Sequence, residues 1–187
     1  MVGIHGKGCG AWILGWILFF LAGCSSAPPV GIHPVTPFAL DRYLGIWYEI
    51  ARLDHRFERG LTDIQAQYSL SADGSVRVLN RGKQISDGQW HEAIGRAVFT
   101  GSPQEGSLKV SFFGPFYGGY HVAALDPDYR WSLVVGPDLD YFWILSREPR
   151  LSPTVRDNLI ARARALGIAT DQLIWTPQQE TSAIPAK

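Results

Sequence analysis

Residues 45–53 read Gly-Ile-Trp-Tyr-Glu-Ile-Ala-Arg-Leu. Side chains alternate between the two faces of a strand, so Trp47, Glu49 and Ala51 share one face. The same short alternating pattern recurs along the chain. Strands are expected at 45–53, 62–70, 75–82, 89–99, 107–113, 118–126, 130–136 and 140–147. The links carry the residues that tight turns demand: Ala72-Asp73-Gly74, Ser86-Asp87-Gly88, Ser102-Pro103-Gln104, Gly114-Pro115, Asp126-Pro127-Asp128 and Gly136-Pro137-Asp138. Eight sequential strands with short links predict an all-β protein, an up-and-down antiparallel barrel. Closure removes the sheet edges, and eight strands leave space for one small ligand.

After the last strand the hydrophobic period changes. Ser152 can cap a helix with Pro153 at its first position. Val155, Leu159, Ala163 and Leu166 form one apolar stripe, and Gly167 ends the run. A lone C-terminal α-helix after eight strands is expected to pack outside the barrel. Leu173-Ile174-Trp175 reads as a short additional strand.

The composition agrees with one globular domain. Of 187 residues, 46% are hydrophobic, 12% aromatic and 18% charged, a balance that excludes a disordered or coiled-coil chain. Lys plus Arg equals Asp plus Glu at 17 each, so no basic face for nucleic acid is signalled.

The N-terminus has a different character. Lys7 precedes the apolar run Ala11–Phe20, and Leu21-Ala22-Gly23-Cys24 follows. This is the layout of a signal peptide over 1–23, and the run from Ala11 to Ala22 is shorter than the roughly 17–25 residues a membrane span needs. The tetrapeptide resembles the bacterial lipobox. That resemblance implies cleavage before Cys24 and lipidation of Cys24, where several acyl chains give durable membrane anchoring. The alternative for Cys24 is a free thiol. Cys9 leaves with the signal, so the mature chain has no other thiol. Ser25 follows Cys24, with no Asp there, and by resemblance to sorted lipoproteins this implies the outer membrane, facing the periplasm. Residues 24–37 are Pro-rich and read as an extended lipidated tether. The barrel and helix are expected within 38–177, and 178–187 as a flexible tail.

Three short motifs carry a family resemblance. Gly45-Ile46-Trp47 resembles the Gly-x-Trp motif of the lipocalins, Asp128-Tyr129 their second motif, and Arg147 at the end of the eighth strand their third. Gly-x-Trp alone is weak, but all three in order, followed by a helix, are specific. Asp41–Gly45, Ile50–Gly60, Lys109–Tyr120 and Asp140–Arg147 resemble the bacterial lipocalins of the outer membrane, and the likeness spans about 38–177. Pro127 stands where many lipocalins have Thr. The structural roles that follow are Trp47 plugging the closed end, Arg147 lying across its indole, and Gly45 permitting close backbone approach.

Taking Trp47 as inward, alternation places Glu49 and Ala51 inside, then Ile64, Ala66, Tyr68 and Leu70, and Val76, Val78 and Asn80. Ala93, Ala97 and Phe99 follow, then Leu108, Val110 and Phe112, and Tyr120, Val122 and Ala124. Leu133 and Val135, with Tyr141, Trp143 and Leu145, complete the set. A register error inverts a whole strand, so each strand's set stands or falls together. The expected ligand-binding residues are Glu49, Ala66, Tyr68, Val78, Asn80, Val110, Phe112, Tyr120, Val122, Tyr141 and Trp143. Apolar walls with few polar groups suit a long acyl chain. The alternative is a barrel filled by its own side chains.

Two readings stand for Glu49: a polar contact to ligand together with the Tyr68 hydroxyl or Asn80 amide, or a bond to a neighbouring strand. Arg56 and Arg59, in the segment after the first strand, either meet an anionic headgroup at the mouth or form a solvated loop. Phe57, with the aromatic turn at Phe116 and Tyr117, forms an apolar patch suited to self-association as a homodimer.

No Gly-x-Ser-x-Gly elbow or Gly-rich phosphate loop occurs. His33, His55, His91 and His121 lack metal-ligand spacing. No catalytic residue, metal or cofactor is therefore expected. The resemblance implies a non-catalytic carrier of fatty acids or lysophospholipids, tethered to a membrane by its N-terminal lipid. The competing readings are an envelope scaffold with a filled barrel and a lipid-modifying enzyme.

Overall fold

The computed structural model describes residues 26–179. The signal segment and Cys24 lie outside the described residues, as do residues 180–187. A single helical turn, α1 (Leu40–Tyr43), precedes β1 (Gly45–Arg52). Then follow β2 (Leu61–Leu70), β3 (Val76–Gln84), β4 (Trp90–Phe99), β5 (Ser107–Phe113), β6 (Phe116–Leu125), β7 (Trp131–Val135) and β8 (Phe142–Ser146). Helix α2 (Pro153–Ala165) and the two-residue β9 (Ile174–Trp175) complete the order.

From β1 to β8 each strand pairs antiparallel with its sequence neighbour, and β1 pairs with both β2 and β8, so the sheet closes as expected. Near the closed end β1 and β2 are in register, from Gly45 opposite Tyr68 to Tyr48 opposite Gln65. Beyond Tyr48 they part. Ile50 is bulged against β8, and β2 has an irregularity around Asp63, whose φ is 53°. The C-terminal segment enters this seam. Trp175 pairs with Ala51, Pro177 accepts from the Asp63 amide, and Gln178 Nε2 donates to the carbonyls of Glu49 and Ile64. The chain expected to be a free tail from 178 is thus held to the barrel at Gln178 and Gln179.

Helix α2 starts as its sequence predicts, with Ser152 Oγ accepting from the Val155 amide and Pro153 at the first turn. Leu159 and Ala163 are fully buried against Ile50, Leu133, Val135, Phe142 and Ile144. These come from the outer faces of β1, β7 and β8, so that wall is apolar on both sides. Residues 27–37 differ from the expected extended tether. Ile32 is buried in this outer core, and Val35 exchanges backbone hydrogen bonds with Val122 and Gly106. The apolar side chains among the prolines give this segment surface to bury.

Two bulges change which side chains face inward. Ile50 is the extra residue in β1, so Ala51 turns to the outer core while Arg52 turns in, opposite Trp143. Ala123 is skipped between β6 and β7, so Val122 opposes Val134 on the inner side and Ala124 opposes Leu133 on the outer. The expected inward set of Ala51, Ala124, Leu133 and Val135 therefore faces the helix. In β7 the inward residues are Ser132 and Val134 instead. Leu70, at the end of β2, is exposed rather than inside.

Candidate functional site

The closed end is built from the three motifs. Trp47 is fully buried and its Nε1 donates to the Tyr43 carbonyl at 2.8 Å. The Arg147 Cζ lies 3.9 Å from the Trp47 ring centroid. Its guanidinium also donates to the carbonyls of Ile46, Leu44 and Arg42. Gly45 has φ +94°, and a Cβ there would meet Arg147 Nη1 at 3.3 Å, so both conformation and space favour glycine. In the second motif Tyr129 has φ 60° and its hydroxyl accepts from the Ala39 amide. Asp126 closes that turn by accepting from the amides of Asp128 and Arg130, and the Arg130 guanidinium holds its carboxyl below the usual range. Asp128 is exposed at the turn and does not reach the cavity.

Above this plug the barrel is hollow. A cavity of about 660 Å³ opens at the opposite end, which sets aside the filled barrel. That volume lies within the roughly 300–1,000 Å³ usual for small-molecule sites. Of the expected ligand-binding residues, Glu49, Ala66, Tyr68, Val78, Asn80, Val110, Phe112, Tyr120, Tyr141 and Trp143 line it. Val122 does not. It points inward but packs into the plug beneath the cavity with Phe38 and Trp47, where its backbone also joins the N-terminal segment. Ala66, Ala93 and Ala97 leave the walls open.

Three tyrosines join plug and cavity. The Tyr120 hydroxyl stands 2.8 Å from that of Tyr43 and 2.9 Å from that of Tyr68, and Tyr43 also reaches Ser132 Oγ at 3.1 Å. Burial pushes the Tyr43 hydroxyl up to about 12 and raises Tyr68 and Tyr120 as well, so all three stay neutral. Tyr43 lies in the 41–45 segment but faces no expected strand partner, so the strand pattern gave no sign of it.

The second polar feature is a buried charged cluster on the wall at the seam. Arg52 Nη1 donates to Glu49 Oε1 at 2.8 Å and to Thr176 Oγ1 at 3.0 Å, while Nη2 donates to the Glu58 carbonyl. Thr176 donates to the same Glu49 oxygen. Glu58 accepts from Trp143 Nε1, and its carboxyl lies 3.8 Å from Arg52 Nε. The contacts of Glu49 are thus to its own and neighbouring segments, not to Tyr68 or Asn80. Burial raises both carboxyls, and the adjacent Glu49 helps push Glu58 up to about 9. The raised Glu58 carboxyl keeps its proton at neutral pH, so the cluster carries less negative charge than two carboxylates would, which suits an apolar cavity wall. Sequence reasoning missed Arg52, Glu58 and Thr176, because a bulge, a loop and the C-terminal segment deliver them.

At the mouth, His55 is buried in a sandwich, its ring 5.4 Å from Phe57, 5.0 Å from Tyr141 and 4.6 Å from Trp143. Burial holds this imidazole below its ordinary pKa. Arg59 is occupied by the Asp54 carboxylate at 2.6 Å, whereas Arg56 is exposed. Among the described residues, no group of three or more His, Cys, Asp and Glu is placed to hold a metal ion.

A barrel closed by Gly-x-Trp under an arginine, hollow above, with a helix on its flank defines a class, and sequence comparison agrees. The profile of the Lipocalin-like domain family matches residues 38–178, and the chain belongs to that family. It is 52% identical over 161 residues to the outer membrane lipoprotein Blc of Escherichia coli, covering 86% of this chain and 91% of that one. The outer membrane lipoprotein Blc of Vibrio cholerae is 46% identical over 160 residues, covering 85% and 93%. On that similarity the chain is an outer-membrane lipoprotein of the lipocalin family. In fold it is similar to the major allergen Per a 4 from cockroaches, with a TM-score of 0.64, 18% identity and coverage of 84% and 96%.

Proposed function

We propose that the cup binds one acyl chain of a fatty acid or lysophospholipid, without a covalent step, and stores or carries it at the envelope membrane. The observation that carries this reading is the cavity of about 660 Å³, lined mostly by apolar and aromatic side chains and open at one end. Each buried methylene contributes about 0.8 kcal/mol before ordering costs. The chain enters past Phe116 and Tyr141 and displaces water from the wall. Its tip reaches the tyrosine layer, and its headgroup stays at the mouth near Arg56. Cys24 supplies the lipid anchor in this reading, with the barrel on the periplasmic side.

The barrel, helix and closing strand all lie within 26–179, so a chain beginning at Ser25 keeps the whole fold. Titration of that chain with a fatty acid and a matched lysophospholipid, followed by Trp fluorescence, tests the proposal. Trp143 on the cavity wall provides the signal. Saturable binding in which the two ligands compete is the expected result. A folded barrel that responds to neither ligand overturns the reading, and turnover of the bound lipid to product overturns its non-catalytic part.

A further inference from the structure

The tyrosine layer at the floor of the cup does not close on itself. Its hydroxyls form an open chain from Tyr68 to Tyr120 to Tyr43 to Ser132, with contacts of 2.9, 2.8 and 3.1 Å. Each hydroxyl has one proton to donate, and each oxygen can also accept. Four hydroxyls joined by three contacts use three protons on one another, and one proton is left over. Among the described residues none of these four hydroxyls has a further hydrogen-bond partner. Ser132 is fully buried with Tyr43 as its partner, so it uses its own proton there and the spare one belongs to a tyrosine.

That proton faces the cup. Tyr43, Tyr68 and Tyr120 all line the cavity. Tyr120 points inward from β6 opposite Leu108, and it is only half-buried, so the surface it keeps is cavity surface. The lining around the layer is apolar, from Val76, Leu108, Val134 and Leu145. In an open cup water satisfies such a donor. A plain alkyl tip that reaches the floor displaces that water and leaves the proton unpaired, which costs affinity. A tip that accepts a hydrogen bond takes the water's place.

We infer that the tyrosine layer is a subsite for the buried end of an acyl chain that carries a neutral oxygen there, as a terminal hydroxyl or carbonyl group. The inference rests on the cavity as an acyl-chain site with the headgroup at the mouth, and it adds the chemistry of the far end: a terminally oxidised chain. A carboxylate is the wrong partner at the floor, where the phenols are neutral. Among the described residues lining the cavity the one arginine, Arg81, is stacked on Trp90 of β4.

The test titrates the chain beginning at Ser25 with dodecanoate, tetradecanoate and hexadecanoate, and with the ω-hydroxy acid of each length, by Trp fluorescence. In a cup without a polar floor, burying the added hydroxyl weakens binding by about tenfold or more. Here, at the length that reaches the floor, the ω-hydroxy acid is expected to bind as tightly as the plain acid or more tightly. The double variant Tyr68→Phe/Tyr120→Phe keeps both rings and removes both hydroxyls. In it the plain acid should gain affinity, and the ω-hydroxy acid should fall behind by about tenfold. The dicarboxylate of the same length is expected to bind the parent more weakly than the ω-hydroxy acid, and tighter binding overturns the neutral specification.

An ω-hydroxy acid that binds the parent about tenfold more weakly than the plain acid at every length overturns the inference. So does a hydroxyl without effect in either protein while the double variant weakens both acids together, which places the carboxylate on the tyrosines instead. A readout that needs no variant is the infrared carbonyl band of a bound acid with a labelled keto group next to its last carbon. The band is expected below its position in hexane, as for a hydrogen-bonded carbonyl, and a hexane-like band overturns the inference. Failure of the underlying cavity reading looks different, because the plain acids then show no saturable binding at any length.

Discussion

Glu49 and Glu58 share one buried guanidinium: Arg52 Nη1 lies 2.8 Å from Glu49 Oε1, and Arg52 Nε lies 3.8 Å from Glu58 Oε2. Glu58 is raised from 4.5 to about 9 by burial and by Glu49. The folded protein therefore holds a proton that the unfolded chain releases above 4.5. Its contribution to stability is complete below that value and is lost as pH rises toward about 9, with a slope approaching about 1.4 kcal/mol per pH unit. Glu58→Gln mimics the protonated form. Melting temperatures from pH 6 to 9 are expected to fall in the parent and to stay nearly flat in the variant. Parallel curves would show that Glu58 does not hold the proton.

Ala66 faces the cavity from β2, opposite Trp47 in β1 and Asn80 in β3. A larger side chain there enters empty space instead of packed core. Ala66→Phe is expected to keep the fold but take the room of about two methylenes. At about 0.8 kcal/mol each that is roughly tenfold in affinity. Fluorescence titration with a fatty acid and a lysophospholipid checks it, and both should weaken together.

Arg147 combines the stacking on Trp47 with charged hydrogen bonds to three carbonyls. Arg147→Ala is expected to destabilise the barrel by about 2–4 kcal/mol. Arg147→Lys keeps the charge but loses the planar fork, and should recover less than half of that loss. Urea denaturation at one pH measures both. A stable Arg147→Ala barrel would make the plug self-sufficient.

Leu159 is fully buried between α2 and the outer faces of β7 and β8. Leu159→Ala should cost about 2–5 kcal/mol of stability through the void it leaves. Ligand affinity of the folded fraction should not change, because the helix packs outside the cup. Denaturation and ligand titration on the same variant separate the two effects.

The elements most legible in the sequence are those whose pattern has one meaning. β3, β5 and β8 alternate cleanly, and Val76, Val78, Leu108, Val110, Trp143 and Leu145 face inward as alternation predicts. Helix α2 announces itself by Ser152, Pro153 and its apolar stripe. The wall under that helix was not legible in the same way. Leu133, Val134 and Val135 are all fully buried, so hydrophobicity does not say which of them faces the cup.

By its residues alone the chain determines eight strands in order, the Gly45-x-Trp47 and Arg147 closure, the flanking helix and the apolar character of the interior. These depend on local periodicity and on motifs whose residues lie at strand ends. Only the tertiary structure decided that Ile50 and Ala123 are bulged, that Arg52 therefore turns inward, and that Glu58 and Thr176 meet it from a loop and the C-terminal segment. It also decided that the cup is hollow and that its mouth carries the exposed aromatic tips. The physical reason is that one extra residue inverts every side chain beyond it, and a cavity is what remains after distant strands have closed. Neither property belongs to any one segment of sequence.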